Sequence, residues 1–141
     1  MKKVFLLFVI SLLSINSFGQ EKTTLLKKLG WIYVRNMEGL IGFIDSKGKE
    51  VVPMKYANID SFGEYKDDWA RVENEQGLIG FIDSKGKEIV PTKYLRVYPF
   101  GEDKENWAKV MIKDELELYG YINLDGKEIV KPIYTKILVP K

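Results

Sequence analysis

Leu40-Ile41-Gly42-Phe43-Ile44-Asp45-Ser46-Lys47-Gly48-Lys49-Glu50 returns unchanged as Leu78-Ile79-Gly80-Phe81-Ile82-Asp83-Ser84-Lys85-Gly86-Lys87-Glu88. Each copy leads to a second shared phrase, Trp69-Ala70-Arg71-Val72 after the first and Trp107-Ala108-Lys109-Val110 after the second. A third, diverged copy follows in Tyr119-Gly120-Tyr121-Ile122-Asn123 and Gly126-Lys127-Glu128-Ile129-Val130. A repeat of about 38 residues means stacked supersecondary units, each of which buries its apolar face against its neighbours.

Inside each repeat the apolar runs are short, β-branched and aromatic, and Gly, Asp, Asn and Pro separate them, which predicts strands rather than helices. Counted from tryptophan, the first strand covers Trp31 to Arg35, Trp69 to Glu73 and Trp107 to Ile112. The second covers Leu40 to Asp45, Leu78 to Asp83 and Leu118 to Asn123, and the third covers Glu50 to Val52, Glu88 to Val90 and Glu128 to Val130. Asp45-Ser46-Lys47-Gly48, Asp83-Ser84-Lys85-Gly86 and Asn123-Leu124-Asp125-Gly126 are expected to be tight hairpin turns, with glycine in the left-handed position. Pro53, Pro91 and Pro132 are expected to stop the third strands, because proline donates nothing to a ladder. The expected fold is all-β: three tandem three-stranded meander repeats, at residues 31–68, 69–106 and 107–141, in an open solenoid-like or propeller-like array. Leu138 and Val139 are expected to cover the last unit.

The first nineteen residues have the pattern of a signal peptide. Lys2 and Lys3 precede the apolar stretch Val4 to Leu13, and Ser17-Phe18-Gly19 places small residues at a cleavage site before Gln20. As a helix the apolar stretch spans about 15 Å, half of a bilayer core of about 30 Å, so no integral membrane anchor is expected. Residues 20–30 then form a leader, and the chain is expected to be exported, either periplasmic or secreted. The absence of cysteine removes a disulfide framework and a lipid-modified cysteine alike.

Cleavage also resets the charge. The chain carries 22 Lys+Arg and 20 Asp+Glu, and loss of Lys2 and Lys3 leaves 20 of each sign. A balanced surface gives no basic stripe for phosphates, so nucleic acid is not an expected partner. Charge is sorted by position. Lys47, Lys49, Lys85, Lys87 and Lys127 sit at hairpin tips, whereas Glu64, Asp67, Asp68, Glu102, Asp103 and Glu105 precede the tryptophans. Such sorting suits solvated turns, or orientation on a charged partner.

Catalysis has little to work with. With neither His nor Cys, the usual metal ligand, general base and thiol nucleophile are all missing, so no catalytic, metal or cofactor residues are assigned. Asp45 and Asp83 are expected to cap their own turns, and Glu50, Glu88 and Glu128 to face solvent. Phe43, Phe81 and Tyr121, Phe62 and Phe100, and Tyr56, Tyr94 and Tyr134 recur once per unit, as core ladders do. The tryptophans admit two readings. A period of two places Trp69 with Arg71 and Glu73, opposite Ala70 and Val72, so Trp69 is either a core residue or part of an exposed stripe. On the stripe reading Trp31, Trp69 and Trp107, with Arg71 and Lys109, are the candidate binding residues.

Gly-Phe-Ile-Asp-x-x-Gly-Lys-Glu-(Val/Ile)-Val-Pro-x-Lys-Tyr, followed by Phe-Gly-Glu and x-Ala-(Arg/Lys)-Val, resembles the WG-repeat proteins over Trp31 to Tyr134. Ile41, Ile79 and Tyr119 stand where that family has tryptophan, each before its glycine. The resemblance implies a bacterial β-rich repeat module that interacts rather than catalyses. The expected function is non-enzymatic binding to a protein partner in the cell envelope or outside the cell, with binding of an envelope carbohydrate or peptidoglycan by the aromatic stripe as the alternative.

Overall fold

The computed structural model describes residues 28–140. The expected signal peptide, residues 1–19, and most of the expected leader therefore lie outside the described residues. The strands are β1 (Ile32–Arg35), β2 (Ile41–Ile44), β3 (Glu50–Tyr56), β4 (Asn58–Phe62), β5 (Trp69–Glu73), β6 (Ile79–Asp83), β7 (Glu88–Tyr94), β8 (Arg96–Val97), β9 (Ala108–Lys113), β10 (Glu117–Ile122) and β11 (Glu128–Tyr134). They form three separate antiparallel sheets in the orders β1-β2-β3, β4-β5-β6-β7 and β11-β10-β9-β8. The fold is all-β, repetitive and open, with no sheet closed into a barrel.

The hairpin turns form as the spacing predicts. Asp45 Oδ1 accepts the backbone N–H groups of Lys47 and Lys49, and Asp83 and Asn123 do the same one and two repeats later, at 2.9–3.0 Å. Gly48, Gly86 and Gly126 adopt φ of 79°, 83° and 77°, the left-handed region that a Cβ disfavours.

The prolines do not stop the third strands. Phe43 lies opposite Val52 but Ile41 lies opposite Tyr56, so β3 spends four residues where β2 spends two, and Pro53 sits in the resulting bulge. Phe81 and Ile79 take Val90 and Tyr94 in the same way, as Tyr121 and Tyr119 take Val130 and Tyr134. Proline is tolerated because β3, β7 and β11 are edge strands and the bulged residues owe the ladder no donor. The bulge also explains the repeated glycine of the second strand. A Cβ on Gly42, Gly80 or Gly120 would stand 2.3 Å from the carbonyl oxygen of Val52, Val90 or Val130.

Two sheets have four strands rather than three. The segment after each Lys-Tyr, to which the sequence pattern assigns no strand, turns back as β4 or β8 and pairs with the tryptophan strand of the following sheet, Ile59 opposite Val72 and Val97 opposite Val110. The second and third sheets thus begin at Asn58 and Arg96, ahead of their tryptophans.

Two cores hold the sheets together. Ile41, Phe43, Val52 and Tyr56 of the first sheet pack with Ile59, Ala70, Val72 and Ile82 of the second. Trp69, Ile79, Phe81, Val90 and Tyr94 of the second pack with Val97, Ala108, Val110 and Ile122 of the third. Strand alternation sends Ala70 and Val72 into one core and Trp69 into the other, so the middle sheet is covered on both faces. Leu138 does not cover the last unit, since it stands exposed.

Candidate functional site: the ends of the sheet stack

The structure separates the residues that the sequence grouped as a stripe. Trp69 is 3% exposed, packed against Phe81 and Phe100 at ring distances of 5.2 and 5.7 Å, so it offers no face for a ligand to stack on. Its burial follows from the third sheet lying over it. Trp31 is half-buried against Phe43 and Phe62, and Trp107 is half-buried against Tyr121, with the Lys104 ammonium 4.0 Å from its ring centre. No continuous tryptophan stripe exists.

The two cationic candidates are engaged internally. Arg71 spans Asp60 at 3.0 Å and Glu73 at 3.1 Å. Partial burial works against its charge, but the bonds to both carboxylates outweigh this and hold its pKa above the ordinary value. Lys109 meets Asp103 at 2.6 Å, and Asp103 also accepts from the Tyr121 hydroxyl at 2.7 Å. These two donors hold the Asp103 carboxyl below its usual range. Burial and the Asp103 bond push the Tyr121 hydroxyl up to about 12.

The most organised polar chemistry lies between repeats. The Tyr56 hydroxyl donates to Glu88 at 2.5 Å and the Tyr94 hydroxyl to Glu128 at 2.6 Å. Lys55 reaches the same Glu88 at 3.0 Å, and Lys93 the same Glu128 at 2.6 Å. Burial, reinforced by the neighbouring carboxylate, raises the pKa of both tyrosines well above the ordinary value. Burial alone would raise the Glu128 pKa, yet the bonds from Lys93 and Tyr94 bring it below its usual range. Glu88 and Glu128 are therefore joints between sheets rather than solvent-facing acids. The sequence carried a signal for this in the recurrence of Lys-Tyr at one end of the repeat and Lys-Glu at the other.

At the two ends of the stack the same positions lose their partners. Among the described residues, the large exposed hydrophobic side chains include Ile32, Tyr33 and Met54 in the first sheet and Ile129, Ile133 and Tyr134 in the third, and none in the middle sheet. Ile32 occupies the repeat position of the buried Ala70 and Ala108, and Tyr134 that of the buried Tyr56 and Tyr94. Among the described residues no cluster of His, Cys, Asp and Glu is placed to hold a metal ion, and every buried side-chain polar atom has a hydrogen-bond partner.

A family model for the WG containing repeat matches residues 41–76, 79–115 and 119–139. The chain belongs to the WG-repeat family. Each matched segment begins at or next to the Ile-Gly or Tyr-Gly pair whose glycine meets the bulge, so in this WG-repeat protein the glycine of the motif has a clear steric task. No curated protein and no solved structure matches the chain.

Proposed function

We propose that this WG-repeat chain is an exported, non-enzymatic interaction module that binds a protein partner through the ends of its sheet stack. One observation carries the reading: large apolar side chains are exposed on the first and last sheets and not on the middle one. A stacked array that ends in solvent commonly has polar terminal faces, and apolar patches at the ends of one are what a protein interface requires. Export rests on the signal-like pattern of residues 1–19, and no helix among the described residues is long and apolar enough to cross a membrane. The non-enzymatic reading rests on the turn-capping role of Asp45 and Asp83 and the structural role of Glu88 and Glu128, which leave no free acid pair at matched positions. Burial of Trp69 argues against a glycan-binding stripe.

N-terminal sequencing of the protein from its native envelope or secreted fraction tests export, with Gln20 as the expected first residue and an intact Met1 as the contrary result. For binding, Ile32→Asp and Tyr134→Asp proteins should lose partners that the parent captures from envelope extract, with circular dichroism unchanged. A saturable change in tryptophan fluorescence with envelope glycans, insensitive to both substitutions, would instead support the carbohydrate reading.

A further inference from the structure

The second and third sheets each take their fourth strand from the tail of the preceding unit, whereas β1 has no neighbour on its outer edge among the described residues. At the other end of the chain, Lys136-Ile137-Leu138 follows Tyr134 at the spacing at which β4 follows Tyr56 and β8 follows Tyr94. Ile137 holds the position of the buried Ile59 and Val97, yet it is only half-buried and in no strand. The first sheet thus lacks an added edge strand, and residues 136–138 hold the repeat positions of one without pairing with any described strand.

Three further features of the internal joints are also divided between the two ends. Glu50, the counterpart of Glu88 and Glu128, makes no side-chain hydrogen bond or ion pair to any described residue, and neither does the hydroxyl of Tyr134, which is 49% exposed. A Cβ on Gly86 would meet Val51 and one on Gly126 would meet Ile89, but one on Gly48 would meet nothing within 4 Å, while Ile129, the counterpart of Val51 and Ile89, is 40% exposed. Ile32, Val34 and Ile44 occupy the positions of Ala70, Val72 and Ile82, which face the preceding sheet in the first core, and Ile32 is 50% exposed.

We propose that the occupant of these ends is a second copy of this chain, docked head to tail, with residues 136–138 of one copy added as the missing edge strand of β1 in the next. The proposal deepens the interaction-module reading and rests on it. By the register of Ile59 with Val72 and Val97 with Val110, Ile137 lies opposite Val34. Tyr134 then donates to Glu50 and Ile129 covers Gly48. Ile133 stands where Lys55 and Lys93 do, so the joint between copies carries the tyrosine bond without the ammonium and is more apolar than the internal ones. The chain's own leader is a poorer occupant, because one repeat before Ile59 it has Glu21, a charge at a position that both internal joints fill with an aliphatic side chain. Head and tail are different surfaces, so the association is heterologous and continues into open strings rather than closing as a symmetric dimer.

Sedimentation of the chain from Gln20, over about 10 to 500 µM, tests this by mass action. The parent is expected to grow in mass with concentration. Ile32→Asp blocks only the head and Tyr134→Asp only the tail, so each alone should associate at least about tenfold more weakly. Mixed in equal amounts, they leave one intact tail and one intact head and should form a dimer that grows no further. Both substitutions lie at half-exposed positions, and circular dichroism establishes that the variants are folded. A parent that stays monomeric throughout, or a mixture that does so, overturns the proposal. So does a monomeric chain from Gln20 that begins to associate only when cut back to Lys28, because the leader is then the occupant of the head. If the parent is monomeric but its capture of an envelope protein is abolished by either substitution, the second copy is refuted while the interaction-module reading stands.

Discussion

At the residue scale, repeat position does not set environment: the three tryptophans share a phrase but not a fate. Trp69 lies between two sheets and Trp107 belongs to a sheet with no following neighbour among the described residues, whereas Trp31 packs toward the second sheet beside Phe62 and is still only half-buried. Trp69→Ala should therefore cost about 3 to 5 kcal/mol, the range for a large aromatic removed from a packed core. Trp107→Ala should cost less than half as much, since that ring is half-exposed and packs on Tyr121 from one side. Urea unfolding followed by circular dichroism checks both, and equal losses would show that the third sheet is covered as fully as the second. The phase of the strand was legible at this scale. Ala70 and Val72 are buried together as alternation requires, and Arg71 lies on the other side. What alternation could not say was whether the side carrying Trp69 faced water.

At the scale of the elements, the joints between sheets tie stability to pH at both extremes. Tyr56 and Tyr94 have folded pKa values above the ordinary tyrosine value of about 10. For such groups the unfolded chain releases its protons first, so their contribution is fully present below pH of about 10 and is lost as pH rises toward the folded values. Glu128 and Asp103 have depressed values, so their contribution is present above the usual carboxylate range and is lost as pH falls through the folded pKa. The melting temperature should thus be flat through neutrality, fall above pH of about 10, and fall again in acid below about 4. Tyr94→Phe removes one of the two joint tyrosines. It should lower stability by about 1 to 2 kcal/mol at neutral pH and make the alkaline decline shallower. Melting curves of parent and variant at neutral pH and above pH of about 10 provide the check, and an unaltered alkaline slope would remove Tyr94 from the account. The hairpins at this scale were plain in Asp-x-x-Gly, a pattern stabilised within four residues. Strands β4 and β8 were not, because their partners lie in the following unit and acidic, glycine-containing segments separate them from the tryptophans they precede.

At the scale of the whole molecule, the two cores share one sheet, and this couples them. Val72 faces the first core and Val110 the second, and both are fully buried. An aspartate at either position places an unpaired charge among aliphatic side chains, and either substitution alone should prevent folding of the entire array. Val72→Asp is the sharper case, because Trp69 reports on the core that the substitution does not touch. Loss of both the strand signal and the buried-tryptophan emission is expected, whereas retention of native emission would mean that the cores fold independently. What the sequence by itself determined is local or periodic: three repeats, short antiparallel strands, turn glycines in the left-handed region, and which side chains share a face. Each depends on contacts within a few residues or on the alternation of the pleat, so the order of residues suffices. Only the tertiary structure decided that prolines ride in bulges, that each of the later sheets borrows a strand from the unit before it, that recurring tyrosines and glutamates meet as joints, and that Trp69 is buried. These depend on which sheet lies across from which, and a repeated phrase is the same whether it has two neighbours or one.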